Sequence, residues 1–213
     1  MLNGRAMSLP PDTRTTDLPP ARFLLPLVTG GLVLALILFG IGLYLWLSNA
    51  PTASIGGPFA LENGNGQTVT DRDFRGKYML VYFGYTYCPD VCPTTLTEVA
   101  GALDKLGPKA ARVQPIFITV DPQRDTPAAI KQYTGAFSPR IVGLTGTPEQ
   151  VATVEREYHV YAAKHVTGPG PNDYAMDHSS VLYLMGPDGR FIAPIDADQT
   201  APQLAQSLAG LIS

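Results

Sequence analysis

Cysteine and histidine are scarce in this chain of 213 residues, which has two cysteines, Cys88 and Cys92, and three histidines. So few cysteines exclude a small domain held together by several disulfides. Basic residues are not in excess either, since 15 Lys and Arg stand against 18 Asp and Glu, for a net charge of −3. A mildly acidic chain lacks the positive surface that binds nucleic acid, and we exclude nucleic acid as a partner.

Charge is also missing from a long segment near the N-terminus, since no Asp, Glu, Lys or Arg occurs between Phe23 and Leu61. Residues 23–47, FLLPLVTGGLVLALILFGIGLYLWL, are almost continuously apolar. As a helix they would extend roughly 37 Å, which is enough to cross a bilayer. A cleaved signal peptide is the alternative suggested by the small residues at 48–50, but its apolar region has only about 7–15 residues. The segment therefore predicts an uncleaved, single-pass transmembrane anchor.

Basic residues predict the orientation of this anchor. Arg5, Arg14 and Arg22 precede it, whereas the first basic residue after it is Arg72. By the positive-inside rule, the N-terminus lies in the cytoplasm and the rest of the chain is exported. We therefore expect an inner-membrane protein with its domain in the periplasm. In a eukaryote the corresponding place is the mitochondrial inner membrane, with the domain in the intermembrane space.

The rest of the sequence divides into three parts. Residues 1–22 are rich in Pro, Thr and Asp and predict a disordered cytoplasmic tail. Residues 48–58, SNAPTASIGGP, predict a linker. Residues 59–213 predict one folded domain, which carries 12 basic and 16 acidic residues because three Arg and two Asp precede Phe23.

Strand and helix patterns alternate within this domain. A hairpin that turns at residues 63–66 precedes two buried strands, KYMLVYFGY and VQPIFITVD, each followed by an amphipathic helix. A short strand, a helix with a capping box, a hairpin that turns at 187–189 and a closing helix complete the order. Alternation of this kind implies parallel strands covered by helices. We predict a thioredoxin-like α/β fold with an N-terminal hairpin and insertions.

Both cysteines lie in the short stretch CPDVCP, Cys88 to Pro93. A structural disulfide here would close a loop of a few residues and remove little entropy from the unfolded chain. The proline after each cysteine disfavours helical backbone angles, so Cys88 should end the strand-to-helix turn. Cys92 should lie near the helix N-cap, with Pro93 at the first helical position. Both thiols are then expected to be accessible and activated, which suits redox chemistry and metal binding alike.

The spacing of the cysteines bears on this choice. Thioredoxin-type oxidoreductases use Cys-x-x-Cys, whereas this chain has one more residue between its cysteines. Two thiolates are an incomplete metal site, and a histidine added to them suits copper. His159 is predicted at a helix-to-strand junction and His165 at the start of a Gly/Pro-rich loop. His178 is predicted in a loop just before a strand, where Asp177 is placed to orient its imidazole.

Three stretches together resemble the SCO/SenC family of copper-binding proteins that help to assemble cytochrome c oxidase. YFGYTYCPDVCPTTL, residues 82–96, is similar to the family's Cys-Pro-Asp-x-Cys-Pro element. VDPQRDTP, residues 120–127, is similar to its Asp-Pro-x-Arg-Asp-Thr element. DYAMDHSSVLYLMGPDGRF, residues 173–191, resembles its histidine-bearing strand and hairpin. The resemblance extends from about residue 59 to the C-terminus.

The resemblance implies a thioredoxin-like fold in which Cys88, Cys92 and His178 bind a copper ion, Cu(I) or Cu(II). It also implies a redox-active Cys88–Cys92 disulfide in the oxidised, metal-free protein. Arg124 is expected to pair with a nearby acid. Three further residues are expected to support the site: Asp90, Asp121 and Asp177.

Two functions follow from the resemblance, and they are compatible. The first is a membrane-anchored metallochaperone that delivers copper to the copper A centre of cytochrome c oxidase. Its partners are the copper-binding subunit of the oxidase and a periplasmic copper donor or thiol reductase. The second is a thiol–disulfide oxidoreductase that keeps the oxidase cysteines reduced, which is the enzymatic alternative. A peroxiredoxin-type peroxidase is disfavoured, because Tyr85 stands where those enzymes have threonine. His178 separates the first two, since a reductase works without it and a three-ligand copper site does not.

Overall fold

The structure is a computed structural model that describes residues 24–48 and 55–212. Helix α1, Leu24–Ser48, and an α/β domain form two separate units. The predicted tail, residues 1–22, lies outside the described residues, as does most of the predicted linker. Among the described residues, no helix meets both the length and the apolarity needed to span a membrane. The transmembrane anchor over residues 23–47 therefore stays a prediction.

A seven-stranded mixed sheet forms the centre of the α/β domain, in the spatial order β2-β1-β5-β4-β3-β8-β9. Its strands are β1 Ala60–Asn63, β2 Thr68–Thr70, β3 Tyr78–Gly84, β4 Val113–Thr119, β5 Val142–Thr145, β8 Val181–Met185 and β9 Phe191–Asp196. β3, β4 and β5 are parallel, whereas the N-terminal hairpin and the β8–β9 hairpin add antiparallel strands at either side. Both predicted hairpins and the alternating order between them are confirmed.

Helices cover this sheet, and the N-termini of α3, α4 and α5 follow the predicted capping signals. They are α2 Val91–Leu106, α3 Pro127–Phe137, α4 Pro148–Glu157 and α5 Ala201–Leu211. The Thr126 hydroxyl accepts a hydrogen bond from the Ala129 amide at 3.3 Å, with Pro127 in the first turn. Thr147 and Gln150 form the reciprocal capping box predicted for α4. Threonine followed by proline fixes the helix start, since proline needs no donor there and threonine supplies an acceptor.

The core is centred on β3, all seven of whose residues are buried. Phe83 packs against Tyr158 and Tyr183, with ring centroids 5.3 and 5.9 Å away. Because β3 and β4 run parallel, their carboxyl ends meet at one edge of the sheet. The segment 85–90, which we call the cysteine loop, therefore lies beside residues 121–125, which follow β4.

A second, two-stranded sheet was not predicted from the sequence. It consists of β6, Ala162–Val166, and β7, Tyr174–His178, paired antiparallel, and we call it with its connecting residues 167–173 the histidine hairpin. The predicted loop positions of His165 and His178 were wrong, because His165 lies within β6 and His178 ends β7. The Gly/Pro-rich stretch TGPGPND between the strands is the hairpin's connection, and it dominates the local sequence signal.

Candidate metal centre

Three side chains of distant origin converge at the carboxyl edge of the sheet. One ligand atom each from Cys88, Cys92 and His178 lies within 4.8 Å of the others, which makes a group that could hold a metal ion. Cys92 Sγ is 3.5 Å from His178 Nε2, and Cys88 Sγ accepts the Cys92 backbone N–H at 3.3 Å. The structure thus brings together the three residues that the resemblance implies as ligands.

Cys88 lies within the cysteine loop, and its side chain is partly accessible. Its backbone N–H donates to the Tyr85 carbonyl at 3.2 Å, which turns the chain from β3 toward α2. Both cysteines are free thiols, and Cys88 is half-buried. A hydrogen bond from the Cys92 thiol, above all, lowers the pKa of Cys88 to about 4, although burial opposes this shift. Cys88 is therefore the thiolate of the pair, at the positive end of a helix.

Cys92 differs from the prediction in position and exposure. Helix α2 begins at Val91 with Asp90 as its N-cap, so Cys92 is the second helical residue and Pro93 the third. The helix starts two residues earlier than predicted, which turns the Cys92 side chain inward and leaves it 0% exposed. Its hydrogen bond to Cys88 and its burial raise the pKa of Cys92. The expectation that both thiols are accessible was therefore wrong for Cys92.

Gly84, the last residue of β3, makes room for the buried thiol. A Cβ atom at this position would lie 2.8 Å from Cys92 Sγ and 2.8 Å from the Phe117 ring. The Tyr82 hydroxyl donates a long hydrogen bond of 3.9 Å to Cys92 Sγ. The end of β3 thus shapes the pocket that receives Cys92.

His178 is held with its Nε2 toward the cysteines. The Nδ1 atom is 3.0 Å from the Ser179 carbonyl oxygen, and the ring meets those of Tyr82 and Tyr85 edge-on. Asp177, predicted to orient the imidazole, is exposed, and the Ser179 carbonyl faces Nδ1 instead. Burial alone would lower the pKa of His178, but hydrogen bonds to Cys88 and Ser179 outweigh it and raise that pKa. An Nδ1 bonded to a carbonyl leaves Nε2 as the ligand atom.

The other two histidines do not join this group. His159 is exposed just after α4 and adopts a φ of 55°, and His165 is exposed in β6. Asp90 is exposed and lines a cavity of about 430 Å³ with Asp196 and Asp198. Its side chain makes no capping hydrogen bond, so its predicted supporting role rests on its place beside Cys88.

Asp121 and Arg124 form a buried pair behind the centre. The Arg124 Nε atom donates to an Asp121 carboxylate oxygen, and both side chains are less than a tenth exposed. The other oxygen accepts the Tyr174 hydroxyl at 2.9 Å. The prediction that Arg124 pairs with an acid is confirmed, and that pair joins the end of β4 to the histidine hairpin.

Sequence analysis missed Asp125, which is fully buried. Its carboxylate accepts the Thr86 amide at 3.0 Å, the Thr86 hydroxyl at 2.5 Å and the Thr119 hydroxyl at 2.6 Å. Burial raises the pKa of Asp125 despite these bonds. The sequence does hold a signal for this site. In RDTP, Asp125 directly precedes the N-cap Thr126 and has no role in the helix, which indicates a role outside it.

Two sulfurs and one imidazole nitrogen within bonding reach of one point are a soft, three-donor set. Such a set suits copper, above all Cu(I), which accepts two or three ligands. A thioredoxin-like α/β domain with this set at its cysteine loop defines a thiol-based metal-binding protein.

Comparison with known proteins places the chain more narrowly. A family model for SCO1/SenC matches residues 48–213, and the chain belongs to the SCO1/SenC family. The chain is 44% identical over 161 residues to protein SenC of Rhodobacter capsulatus, covering 76% of this chain and 72% of that protein. It is 44% identical over 145 residues to the mitochondrial SCO1 homolog 1 of Arabidopsis thaliana, covering 68% of this chain and 43% of that longer protein. This chain thus spans less than half of the Arabidopsis relative.

Solved structures agree. The structure of Bradyrhizobium japonicum ScoI with copper bound matches with a TM-score of 0.67 and 46% identity, over 74% of this chain and 99% of that one. BsSco, described as a member of the Sco family of cytochrome c oxidase assembly proteins, matches with a TM-score of 0.57 over 76% of this chain and 95% of its own. At 21% identity, the BsSco match shows the fold alone. The predicted thioredoxin-like α/β fold is confirmed.

Proposed function

We propose that this chain is a membrane-anchored copper metallochaperone that delivers copper to the copper A centre of cytochrome c oxidase during assembly. The convergence of Cys88, Cys92 and His178 is the observation that carries the proposal. Copper bound to the relative from Bradyrhizobium japonicum supports it. In this role copper is the cargo that the protein carries, and the three side chains are its ligands.

The electrostatics of the site favour loading with a cation. Cys88 is already ionised near neutral pH, with a pKa of about 4. A bound cation would displace the proton from Cys92, since thiolates and not thiols are metal ligands. Two thiolates then neutralise Cu(I) and leave one negative charge at a half-buried site, close to the positive end of α2.

Release would proceed by ligand exchange. An incoming thiolate of the acceptor adds to the copper and replaces one ligand at a time, through mixed coordination. Because the exchange never leaves copper without ligands, it avoids the cost of a bare ion. The acceptor proposed here is the copper-binding subunit of the oxidase, and a periplasmic copper donor or thiol reductase would restore the carrier.

A second function is favoured by the asymmetry of the two thiols. In this thiol–disulfide oxidoreductase, the Cys88 thiolate attacks a target disulfide and expels one target thiolate, giving a mixed disulfide. Cys92 then loses its proton to the nearby His178 and attacks Cys88 Sγ, which releases the second target thiolate. The target gains two electrons and the chain becomes the Cys88–Cys92 disulfide. A half-exposed low-pKa thiol beside a buried one fits the attacking and resolving roles.

The test of the ligand set is a Cu(I) titration of the full chain in detergent, reduced and anaerobic, against a competing chelator. One tightly bound copper per chain is expected. Cys92→Ser and His178→Ala should each weaken it, whereas His165→Ala, which removes an exposed histidine of the same hairpin, should not. If His178→Ala binds Cu(I) as tightly as the parent, the two cysteines bind copper without His178, and the reductase function is favoured.

A second experiment separates delivery from reduction. The copper-loaded chain is mixed with the copper-binding domain of the oxidase subunit, with its cysteines either reduced or joined as a disulfide. A chaperone transfers copper to the reduced domain. In a parallel mixture with the reduced, copper-free chain, a reductase converts the oxidised domain to its dithiol, and His178→Ala should slow this reduction without abolishing it.

The tether and the compartment belong to the same proposal. Support comes from the uncharged apolar run at 23–47 and from the three arginines that precede it. The protein should resist alkaline extraction from membranes. Protease added to the periplasmic side should remove the domain and leave a short, protected N-terminal fragment. A chain released by alkaline carbonate would refute the tether without bearing on copper binding.

A further inference from the structure

The position of His178 depends on how the histidine hairpin is held. Its two strands form a sheet of their own, separate from the seven-stranded sheet. A two-stranded sheet is marginal by itself, so its placement needs contacts with the rest of the domain. In the described part of the chain, its polar contacts with the domain concentrate on residues 121–124.

Arg124 makes the most extensive of these contacts. Its Nη1 donates to the Tyr174 carbonyl at 2.9 Å and lies 3.4 Å from the Asn172 carbonyl. The guanidinium carbon lies 3.7 Å from the centre of the Tyr174 ring. On the side of the cysteine loop, the same carbon is 4.6 Å from the Tyr87 ring centre and 5.7 Å from that of Tyr85. One planar cation therefore touches both ligand-bearing segments.

Tyr174 connects the Arg124 contact to the imidazole of His178. It starts β7, and His178 ends it four residues later, so the two side chains point to the same face of the strand. Tyr174 is buried, and its hydroxyl donates to Asp121 at 2.9 Å. A shift of Tyr174 along or away from Arg124 therefore displaces the strand that carries His178.

The neighbouring residue holds the other half of the site. Asp125 binds the amide and hydroxyl of Thr86, two residues before Cys88. Arg124 and Asp125 are adjacent in the chain; Arg124 donates a hydrogen bond to the histidine hairpin, and Asp125 accepts one from the cysteine loop. Residues 121–125 thus fix the separation of the two halves of the metal centre.

We propose that Arg124 is a positioning residue for His178, which sets how strongly the imidazole binds copper without touching the metal. The inference rests on the proposed copper-binding function, and it adds to the three ligands a residue that does not itself bind the metal. Residues that orient metal ligands typically contribute about 10–100-fold to metal affinity. The dithiolate half meets Arg124 only through the rings of Tyr85 and Tyr87, so most of the effect should depend on His178.

The experiment is a double-mutant cycle, read out as the Cu(I) dissociation constant of the full chain. Arg124→Met should weaken binding about tenfold when His178 is present. In the His178→Ala background, the same change should have a much smaller effect, because the ligand that Arg124 positions is gone and only the ring contacts with Tyr85 and Tyr87 remain. Tyr174→Phe, which removes the bond to Asp121 alone, is a milder variant that should show the same dependence on His178 with a smaller loss.

Two matched variants sharpen the cycle. Thr86→Val disturbs the cysteine loop, so its effect should persist in the His178→Ala background. Arg140→Met removes an arginine whose partner is the exposed Asp104, and it should leave copper binding unchanged in both backgrounds. Arg124→Lys keeps the charge but lacks the planar fork, so it should behave like Arg124→Met. Full rescue by lysine would overturn the positioning role.

A metal-free readout keeps this inference separate from the proposed function. In the copper-free chain, Arg124→Met should speed hydrogen exchange of the β7 amides relative to those of β3. If His178→Ala leaves copper affinity unchanged, the ligand set fails, yet the exchange result still tests the contact. If His178→Ala weakens binding while Arg124→Met does not, or if Arg124→Met weakens both backgrounds equally, the positioning role is refuted.

Discussion

Cys88 and Cys92 flank the junction of a central buried strand and a long helix, whereas His178 ends a strand of a small hairpin. All seven residues of β3 are buried, but three of the five in β6 are exposed. The cysteine side shares the core of the domain, and the histidine side lies on top of it. In a ligand set mounted in this way, Cys92 belongs to the core, Cys88 packs against it, and His178 depends on local support.

This difference separates the tasks of holding and releasing a metal ion. Of the two sulfurs, Cys92 Sγ is buried at the start of α2, whereas Cys88 Sγ is half-buried and open to exchange. A third ligand on a separately supported hairpin adds affinity that can be withdrawn without unfolding the domain. Regions with few buried contacts open at low free-energy cost, and functional motions draw on them.

The largest expected effect contrasts the two supports directly. Phe83→Ala removes a fully buried ring of β3 and should lower the free energy of unfolding by about 3–5 kcal/mol. Tyr161→Ala removes a ring that is 62% exposed at the start of the histidine hairpin, and should change it by no more than about 0.5 kcal/mol. Urea denaturation of both variants measures the contrast. Equal losses would mean that the hairpin belongs to the core.

Two glycine-to-alanine changes should shift the free energy of unfolding in opposite directions. Gly84→Ala places a Cβ against Cys92 Sγ and Phe117, and should destabilise the domain by about 1–3 kcal/mol. It should also weaken Cu(I) binding, because the sulfur has to move. Gly135→Ala in α3 meets no atom within 4 Å and should stabilise by roughly 0.5–1 kcal/mol. A neutral Gly84→Ala would show that the Cys92 pocket is looser than described.

Glu155 tests the boundary between the regions, because it lines a cavity of about 200 Å³ with Lys164 of the hairpin. Burial raises the pKa of Glu155 from 4.5 to about 7, against a smaller opposing effect of Arg156. A raised carboxyl pKa means that the folded state disfavours the charged form, so stability declines as pH rises from about 4.5 to 7 and then levels off.

Glu155→Gln should therefore be more stable than the parent by about 1 kcal/mol at pH 8, after allowance for partial exposure. The two should be nearly equal at pH 4.5. Thermal unfolding across this range measures the difference, with Asp198→Asn, a change at an exposed carboxylate, as the control. A stabilisation that is the same at every pH would assign the effect to packing and not to charge.

The smallest expected effect lies on the outer face of the hairpin. Val166 ends β6 and is 69% exposed. Val166→Thr keeps the β-branched shape and should alter the free energy of unfolding by less than about 0.5 kcal/mol and leave Cu(I) affinity unchanged. A measurable loss of affinity would reveal that the hairpin responds as one rigid body.

Local signals in the sequence predicted much of the fold. Threonine followed by proline marked the starts of α3 and α4, and a Thr-x-x-Gln box marked that of α5, because these residues act within one turn of the helix. The three residues that converge at the metal centre were also predicted, as the ligands implied by the resemblance of the CPDVCP and DH stretches to the SCO/SenC family. In both cases the information lies within a few residues of the feature.

What the sequence did not reveal depends on distant contacts. Cys92 is buried because Gly84 leaves space beside it and Phe117 closes the far side, and both lie on other elements. The strands of the histidine hairpin carry little periodic pattern, since their outer faces are exposed and a Gly/Pro-rich connection separates them. Asp125 was missed because its role depends on Thr86, which is distant in the sequence.

Burial of Cys92 has a consequence for the order of events in the proposed role. With one sulfur 0% exposed and the other half-buried, an incoming thiolate meets Cys88 first, whether it brings copper or takes it away. A carrier with a single open side serves one partner at a time. Loading and unloading should then alternate without a complex of donor, carrier and acceptor, and double-reciprocal plots of delivery rate at several donor concentrations should be parallel.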